Sequence, residues 1–364
     1  MARPSAGAVR NGIPKTMGLR RSDRFLSGLS AYERVVLVTH IHADPDGLGS
    51  MFGLAHLIET LTKKPTILTQ DGPISRAENR ALVDTLHLDL IPIKQVDWHK
   101  GDAVVMVDSQ PKTGRHTFDD NVPLYAVIDH HETPGDLEDV AFIDVRPNMG
   151  ATCTLVTKYL IEQGVTLTEK LASSLYYGIE TEVTGYPREA TEADDEVMNY
   201  LFGLTDKDLL AQIRNARLPH SHFECLLEAL QSSFLYDRFV ISWVNDLPQP
   251  EQAAEVVDFM IRFEKVDWAV CCGIHKDKLI ISVRSALPHA KAGDILRTVV
   301  GKLGNAGGHD RRAGGCISLA GKSDTAIEEL QSSLRRRFLK ALNIEDLRGR
   351  RLVALREMLQ NLQS

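Results

Sequence analysis

Short apolar runs alternate with stretches of helical periodicity through the first half of the chain. The runs lie at 35–39, 65–69, 103–107 and 125–128. Apolar residues at helical spacing predict helices over 49–61, 151–164 and 167–179. Strands that are apolar at nearly every position are typical of sheets with helices on both faces. The pattern therefore predicts an α/β fold with a doubly wound, mostly parallel sheet.

A second group of apolar runs follows a predicted helical linker at 206–233. Strands are predicted at 239–244, 268–272, 279–283 and 315–319, and helices near 252–263, 294–303 and 323–342. These elements predict a second, smaller α/β domain at 234–345, after a first domain at 23–205. In the tail at 346–364 leucines and a methionine recur at near-helical spacing, which predicts a C-terminal helix at the surface or at an interface.

The first 22 residues carry basic side chains, and the first acidic residue is Asp23. This segment contains Gly, Pro and Ser and shows no apolar period, so we predict a flexible basic leader at 1–22. A mitochondrial-type presequence is the alternative interpretation.

The composition narrows the class of protein. With 43% hydrophobic and 25% charged residues and no apolar run near the roughly 20 residues that span a bilayer, we expect a soluble cytoplasmic protein without a membrane partner. Lys and Arg number 42 against 49 Asp and Glu, which argues against long-duplex nucleic acid but allows a compact anionic substrate. The five cysteines are odd in number and form no C-x-x-C pattern, which favours reduced thiols over disulfides or a zinc site.

Side chains that bind divalent metals follow three of the predicted strands. They are His40, Asp44, Asp46, Asp108, Asp129, His130 and His131. Because parallel strands present their carboxyl ends at one edge of a sheet, we expect these side chains to converge. Carboxylates and imidazoles together suit Mn²⁺ or a similar divalent ion. Taken singly, Asp44 or Asp46 could instead cap the following helix, and Asp108 could simply start a turn.

The positions of these residues also suggest different roles. Asp108, alone at a strand end between the other two groups, could bridge two ions. His130 and His131 are consecutive, so one imidazole could face a metal and the other a substrate. Asp129 could orient an imidazole without itself binding the metal.

These motifs resemble those of the DHH phosphoesterases, whose name is the tripeptide found at 129–131. The likeness extends to Gly49-Ser50 after Asp46, to Asp108, and to the segment 178–182, with Gly185 and Arg188 beyond it. The segments 281–285 and 307–315 resemble the family's associated second domain. In order and spacing, the resemblance runs from roughly residue 30 to residue 340.

The resemblance implies a metal centre with two Mn²⁺, for which Mg²⁺ or Co²⁺ could substitute. His40 and Asp44 would hold one ion, Asp46 and His130 the other, and Asp108 would bridge them. The implied catalytic residues are His131, at the scissile phosphate or its leaving group, together with Asp129 and Asp108. The implied substrate clamp of the second domain comprises Arg284, Ser285, Gly307, Gly308, His309, Arg311 and Arg312. For Arg311 and Arg312, a solvated turn is the alternative.

One position departs from the family pattern. Glu182 stands where the family usually has Asp, and its extra methylene would displace the carboxylate unless the backbone adjusts. We predict that Glu182 remains a metal ligand, with Glu180 as a less favoured substitute. The alternative is a second metal site that is altered or lost.

The resemblance implies a metal-dependent phosphoesterase with its active site in the cleft between the domains. Its substrates would be short oligonucleotides or small nucleotides, as for the nanoRNase (oligoribonuclease) and 3′-phosphoadenosine 5′-phosphate phosphatase type, cleaved by two-metal activation of water. One alternative is a phosphodiesterase for cyclic di-AMP or linear dinucleotides. Another is a degenerate protein that binds a nucleotide or a partner without hydrolysis. A homodimer is compatible with each of these.

Overall fold

The computed structural model describes residues 20–119, 121–132, 135–184, 190–308 and 310–353. In the first domain the strands are β1 (Arg34–Val38), β2 (Thr66–Gln70), β3 (Leu90–Pro92), β4 (Asp102–Val107), β5 (Leu124–Asp129) and β6 (Phe142–Val145). The helices are α1 (Arg21–Gly28), α2 (Pro45–Thr62), α3 (Ala77–Leu86), α4 (Thr152–Glu162), α5 (Glu169–Val183) and α6 (Glu192–Phe202). Two further helices, α7 (Lys207–Arg214) and α8 (His220–Ser232), occupy the predicted linker.

The first sheet confirms the predicted α/β architecture. Among the described residues it has six strands, all paired in parallel, in the order β3-β2-β1-β4-β5-β6. Every residue of β4 is buried, as expected for a central strand covered on both faces. The strand order reverses between β1 and β4, which is where open α/β sheets form a crevice for ligands.

Helix α2 begins at Pro45, four residues before its predicted start at Gly49. Asp44 is the N-cap, and its Oδ1 accepts hydrogen bonds from the backbone N–H groups of Asp46 and Gly47, both at 3.1 Å. Pro45 suits the first helical position, where no N–H is required. The apolar pattern missed this turn because it is filled by the polar and small residues of the metal-type motif.

Helices α2 and α5 pack closely at glycines. A Cβ on Gly178 would lie 2.8 Å from the backbone oxygen of Pro45, and one on Gly49 would lie 3.0 Å from that of Ser174. Such a close approach needs residues without side chains. It brings the C-terminal end of α5, with Glu182, beside the start of α2.

The second domain has strands β7 (Phe234–Tyr236), β8 (Phe239–Val244), β9 (Trp268–His275), β10 (Lys278–Ser285), β11 (Gly304–Gly308), β12 (Arg312–Ser318) and β13 (Arg350–Arg351). Its helices are α9 (Gln252–Met260), α10 (Ala292–Val300) and α11 (Asp324–Ala341). The sheet order is β11-β12-β10-β9-β8-β7-β13, antiparallel except for the β8–β9 pair. The four predicted strands correspond to β8, β9, β10 and β12. The apolar pattern missed β7 and β13, which are very short, and the glycine-rich β11.

The structure corrects both ends of the predicted domain plan. Arg21 begins α1 and pairs with Asp144 at 2.8 Å, so the end of the predicted flexible leader is ordered, while residues 1–19 lie outside the described residues. At the other end, Arg350–Arg351 form an edge strand against β7 instead of a helix, because the unpaired backbone of β7 takes up their hydrogen bonds. Residues 354–364 of the predicted helix also lie outside the described residues.

Two further expectations concern membranes and cysteines. Within the described part of the chain, no helix has the length and apolar character to cross a membrane. All five cysteines are described and unpaired, and four of them are buried.

Candidate metal centre

The candidate site lies at the carboxyl ends of three neighbouring strands, β1, β4 and β5. His40 follows β1, Asp108 follows β4, and Asp129 ends β5. Since β1, β4 and β5 are adjacent in the sheet, three short sequence motifs that are far apart in the chain meet at one edge. The predicted convergence is therefore observed.

Asp108 lies at the centre of this site. Its Oδ2 is 3.4 Å from Nε2 of His40, and its Oδ1 is 3.6 Å from Nε2 of His130 and 3.7 Å from Nδ1 of His131. The residue is 1% exposed and has a φ of 56°, a left-handed conformation that is uncommon outside glycine. The same conformation occurs at helix ends in this chain, as at Lys63 and His87, so the position of the carboxylate and not its backbone marks Asp108 as functional.

Two groups of side chains share the Asp108 carboxylate. One contains His40 and Asp44, and the other contains His130 and His131. Within each group the potential ligand atoms lie within 4.8 Å of one another, close enough to surround one ion. A carboxylate shared by two such groups has the arrangement expected of a residue that bridges two ions.

The donor atoms in the first group fit a divalent metal. Nε2 of His40 is buried and makes no hydrogen bond, and it lies 3.5 Å from Oδ2 of Asp44. The other ring nitrogen, Nδ1, is 2.8 Å from the backbone oxygen of Ile41, a contact that assigns the proton to Nδ1 and leaves Nε2 as the metal-binding atom. Asp44 uses one oxygen to cap α2 and the other to face His40, so its structural and metal-binding roles are compatible.

The electrostatics of the site favour a cation. Burial opposes the charged form of His40, but the carboxylates of Asp44 and Asp108 outweigh it and raise the His40 pKa to about 10. Burial and the negative charges of Asp108 and Glu182 raise the pKa of Asp46 well above its usual range. A bound metal ion would replace these protons, since metal ligands bind in their deprotonated forms.

Asp46 differs from the other predicted ligands. Both of its oxygens accept backbone hydrogen bonds at the start of α4, from the N–H groups of Thr152 and Cys153, each at 2.7 Å. Its Oδ2 is 3.7 Å from Nε2 of His130, but Asp46 does not belong to either of the two three-residue groups. The side chain is fully buried. It serves the start of α4 and does not cap the following helix α2, whose N-cap is Asp44. The role of Asp46 as a metal ligand stays a prediction.

Asp129 orients the imidazole of His131. Its Oδ1 lies 2.7 Å from Nδ1 of His131, and its Oδ2 accepts a hydrogen bond from Gln110 at 2.8 Å. Burial opposes charge on His131, but the hydrogen bond to Asp129 prevails and raises the His131 pKa. With Nδ1 held in this way, Nε2 is the atom that can serve a metal or a substrate. Sequence reasoning missed Gln110, although a polar residue so close to Asp108 was a usable signal.

The site opens into the cleft between the two domains. A cavity of 410 Å³ is lined on one side by Asp44 and Arg76 and on the other by Asp258 and Arg284. A second cavity of 280 Å³ lies beside His130. The predicted position of the active site between the domains is therefore supported by the shape of the molecule.

Glu182 and Arg312 stand between the two cavities and line both of them. Oε2 of Glu182 lies 4.0 Å from Nη1 of Arg312, which brings the first domain against the second. Burial and the nearby Asp44 carboxylate raise the pKa of Glu182. Glu182 is in neither metal-type group, so its predicted role as a ligand stays untested. Glu180 instead pairs with Arg214 at 2.6 Å.

The predicted clamp residues separate into two sets. Arg284, Arg311 and Arg312 line the cavities, and Nη1 of Arg311 is buried without a hydrogen-bond partner, as expected of a group that awaits an anion. Ser285, by contrast, is 4% exposed and donates its hydroxyl hydrogen to the backbone oxygen of Asp267 at 3.1 Å, so the structure does not bring it to the cleft.

The glycine turn of the predicted clamp is described only in part. Gly307 and Gly308 end β11 and pair with β12, and they line neither of the two cavities. His309 lies outside the described residues, as do Gly185 and Arg188. The substrate roles assigned to this turn remain predictions.

Sequence reasoning also missed the contacts that join the domains across the cleft. Nη2 of Arg76 lies 3.3 Å from Oδ2 of Asp258, and Nδ1 of His42 lies 2.7 Å from Oε1 of Glu251. The partners in each pair are far apart in sequence, so no local motif could have revealed them.

Residues 34–179 match the family model described as DHH family, N-terminal domain. The match covers β1, the metal-type motifs and most of α5. Together with the fold and the site, it shows that residues 34–179 form an N-terminal domain of the DHH type. Divalent metals are the cofactors of this family, in agreement with the donor groups around Asp108.

Two curated relatives match parts of the chain. An uncharacterised protein of Methanocaldococcus jannaschii is 26% identical over 318 residues, covering 86% of this chain and 65% of the relative. A protein of Streptococcus mutans serotype c, named "probable bifunctional oligoribonuclease and PAP phosphatase NrnA", is 24% identical over 158 residues, covering 42% of this chain and 47% of the relative. The chain therefore spans less than two thirds of the length of these relatives.

Two solved structures share the fold. An exopolyphosphatase-related protein from Bacteroides fragilis aligns with a TM-score of 0.72 at 16% identity, covering 91% of this chain and 100% of that one. RecJ from Thermus thermophilus, solved in complex with Mn²⁺, aligns with a TM-score of 0.53 at 15% identity, covering 91% of this chain and 56% of that one. At these identities the likeness establishes the two-domain fold.

Proposed function

We propose that this protein is a Mn²⁺-dependent phosphoesterase that hydrolyses phosphate esters of short oligonucleotides or small nucleotides. The observation that carries the proposal is the Asp108 carboxylate, buried at the switch point of the sheet and shared by two groups of metal-type ligands. RecJ, which shares the fold, was solved with Mn²⁺, and this supports a divalent metal at the site. The donor set of imidazole nitrogens and carboxylate oxygens also suits Mn²⁺.

The residues have distinct parts in this proposal. His40, Asp44, Asp108 and His130 would hold the metal ions. Bound in this way, the ions would lower the pKa of a water nucleophile and stabilise negative charge on the phosphate. Asp46 and Glu182 complete the proposed ligand set.

His131 and Asp129 would act together at the reacting phosphate. The hydrogen bond from Nδ1 of His131 to Asp129 fixes the ring and stabilises its charged form. A protonated imidazole at the metal edge could give a hydrogen bond, or its proton, to the leaving oxygen.

The second domain would bind the remainder of the substrate. Arg284, Arg311 and Arg312 present guanidinium groups to the cleft, and guanidinium matches phosphate oxygens in bidentate geometry. A cavity of 410 Å³ lies in the size range of small-molecule sites. The cleft also carries several carboxylates, and the chain has a net charge of −7, so the arginines favour a short anion over a long polyanion.

The experiment is a panel assay of the purified protein with Mn²⁺. The substrates are dinucleotides, longer RNA, long single-stranded DNA, cyclic di-AMP, 3′-phosphoadenosine 5′-phosphate and pyrophosphate. We expect the best kcat/KM for dinucleotides or the bisphosphonucleotide, and loss of turnover with EDTA. The name of the Streptococcus mutans relative supports this expectation.

Other outcomes of the panel would replace the proposal. Best turnover of cyclic di-AMP would favour a cyclic-dinucleotide phosphodiesterase, and best turnover of long single-stranded DNA would favour an exonuclease of long strands. Nucleotide affinity without turnover of any substrate would show a binding protein with an inactive site.

A further inference from the structure

A buried carboxylate outside the predicted ligand set organises the loop before α4. Asp194, in the first turn of α6, is fully buried and accepts four hydrogen bonds. Two come from Thr191, from its backbone N–H at 2.8 Å and its hydroxyl at 2.6 Å. The others come from the backbone N–H of Gly150 at 2.9 Å and the hydroxyl of Thr154 at 2.6 Å. Asp194 therefore joins α6 to the loop before α4 and to α4 itself.

An ordinary helix cap accounts for only half of these contacts. Thr191 and Asp194 form a capping box, in which the acidic residue serves the N-cap backbone. The bonds from Gly150 and Thr154 come from residues about 40 positions earlier in the chain and contribute nothing to the capping of α6. They hold the start of α4 against α6.

The loop held by Asp194 contacts two predicted metal ligands. The backbone oxygen of Met149, next to Gly150, lies 3.3 Å from Nδ1 of His130, a contact that leaves Nε2 of His130 facing Asp108. Immediately after the loop, the backbone N–H groups of Thr152 and Cys153 hold the two oxygens of Asp46. The loop thus sets the position of one imidazole and one carboxylate at the centre.

The contact between Gly150 and Asp194 leaves no room for a side chain. A Cβ on Gly150 would lie 2.6 Å from Oδ2 of Asp194 and 2.5 Å from Cγ1 of Val183. Val183 is the neighbour of Glu182, so the same contact also supports the end of α5. Asp194 and Gly150 can therefore be altered separately to disturb one and the same junction.

From this geometry we infer that Asp194 is a positioning residue for the metal centre, acting through the loop at 149–151 on His130 and Asp46. The inference rests on the proposed function, since it requires that the site binds divalent metal. Removing a group that holds a metal ligand in position typically weakens metal binding by about 10- to 100-fold.

The test is a calorimetric titration of the metal-free, full-length protein with Mn²⁺. We expect Asp194→Ala and Gly150→Ala each to raise the Mn²⁺ dissociation constant by about 10-fold or more. Asp194→Asn keeps one accepting oxygen, so its Mn²⁺ dissociation constant should lie between those of the wild type and Asp194→Ala. The matched control is Asp206→Ala, which removes an N-cap of α7 that accepts from Asp208 and Leu209 and makes no contact with the centre. We expect this control to keep the wild-type affinity.

Thermal unfolding without metal separates positioning from stability. If Asp194→Ala and Asp206→Ala lower the melting temperature similarly and only the former weakens Mn²⁺ binding, the inference holds. Wild-type affinity in folded Asp194→Ala and Gly150→Ala, or equal loss in the control, would overturn it. Failure of both variants to fold would also overturn it, because the junction would then serve the fold. If the unaltered protein binds no Mn²⁺, the proposed function fails as well.

Discussion

The two faces of the cleft are built in different ways. On the first domain, the candidate ligands follow parallel strands, and most are buried and fixed by hydrogen bonds to nearby backbone or amide groups. On the second domain, Arg284 and Arg312 reach the cleft from antiparallel strands and are paired with carboxylates. Arg284 lies 2.7 Å from Asp258, and Arg312 lies 4.0 Å from Glu182.

The two faces therefore become ready to bind in different ways. The metal ligands are preorganised, whereas the arginines must exchange carboxylate partners for phosphate. On the first domain, the candidate ligands at the carboxyl ends of β1, β4 and β5 are held in place before a metal ion binds. Such preorganisation increases the affinity of a metal site and fixes the orientation of its ligands. On the opposite face, Arg284 and Arg312 must leave their carboxylate partners, at least in part, before they can bind phosphate. Substitutions at the metal edge should therefore change turnover most, and those on the arginine face should change substrate affinity most.

The largest effect is expected for Asp108→Asn. Loss of the shared negative charge should lower kcat by about 10³-fold or more, because metal stabilisation of the reacting phosphate is worth several kcal/mol. Asp102→Asn is the control, since Asp102 begins the same strand and pairs with Arg34 away from the site. Steady-state kinetics on the best substrate of the panel would check this, and wild-type turnover of Asp108→Asn would contradict it.

A smaller effect, mainly in KM, is expected for Arg284→Ala. A charge-assisted hydrogen bond to phosphate is worth about 1.5–3 kcal/mol, so KM should rise by roughly 10- to 100-fold while kcat changes much less. Arg238→Ala, on the same domain but exposed and paired with Asp267, should leave both constants unchanged. A fall in kcat at constant KM would place Arg284 in the chemical step instead.

The smallest effect, with the opposite sign, is expected for Asp258→Asn. Asp258 is the common partner of Arg76 and Arg284, so removing its charge should leave both guanidinium groups more available to phosphate. We expect KM to fall by about two- to fivefold, corresponding to the low energy of a partly exposed ion pair. A rise in KM would show that Asp258 orders the arginines for binding, and the two faces would then be equally preorganised.

The sequence was most informative where function depends on short motifs at strand ends. His40, Asp108 and His130 could be placed at one sheet edge because each directly follows a run of apolar residues, and parallel strands align their carboxyl ends. Asp44 and Asp46 could be placed at the same edge because they closely follow β1 in the sequence.

Contacts between distant segments were beyond the reach of pattern reasoning. Asp194, Gln110 and the Arg76–Asp258 pair depend on how helices and domains pack, which no local spacing reveals. Ser285 shows the opposite case. Its sequence motif predicted a clamp residue, but its hydroxyl donates a hydrogen bond to the backbone oxygen of Asp267 inside the second domain. The predicted C-terminal helix was wrong in its described part because an open sheet edge recruited Arg350–Arg351.

The most direct test of the central claim is anomalous diffraction at the manganese edge from crystals of the protein grown with Mn²⁺. The account predicts two peaks about 3.5–4 Å apart, both in contact with the Asp108 carboxylate. One peak should lie toward His40 and Asp44, and the other toward His130. No peak at this edge of the sheet, or metal bound without Asp108, would contradict the account.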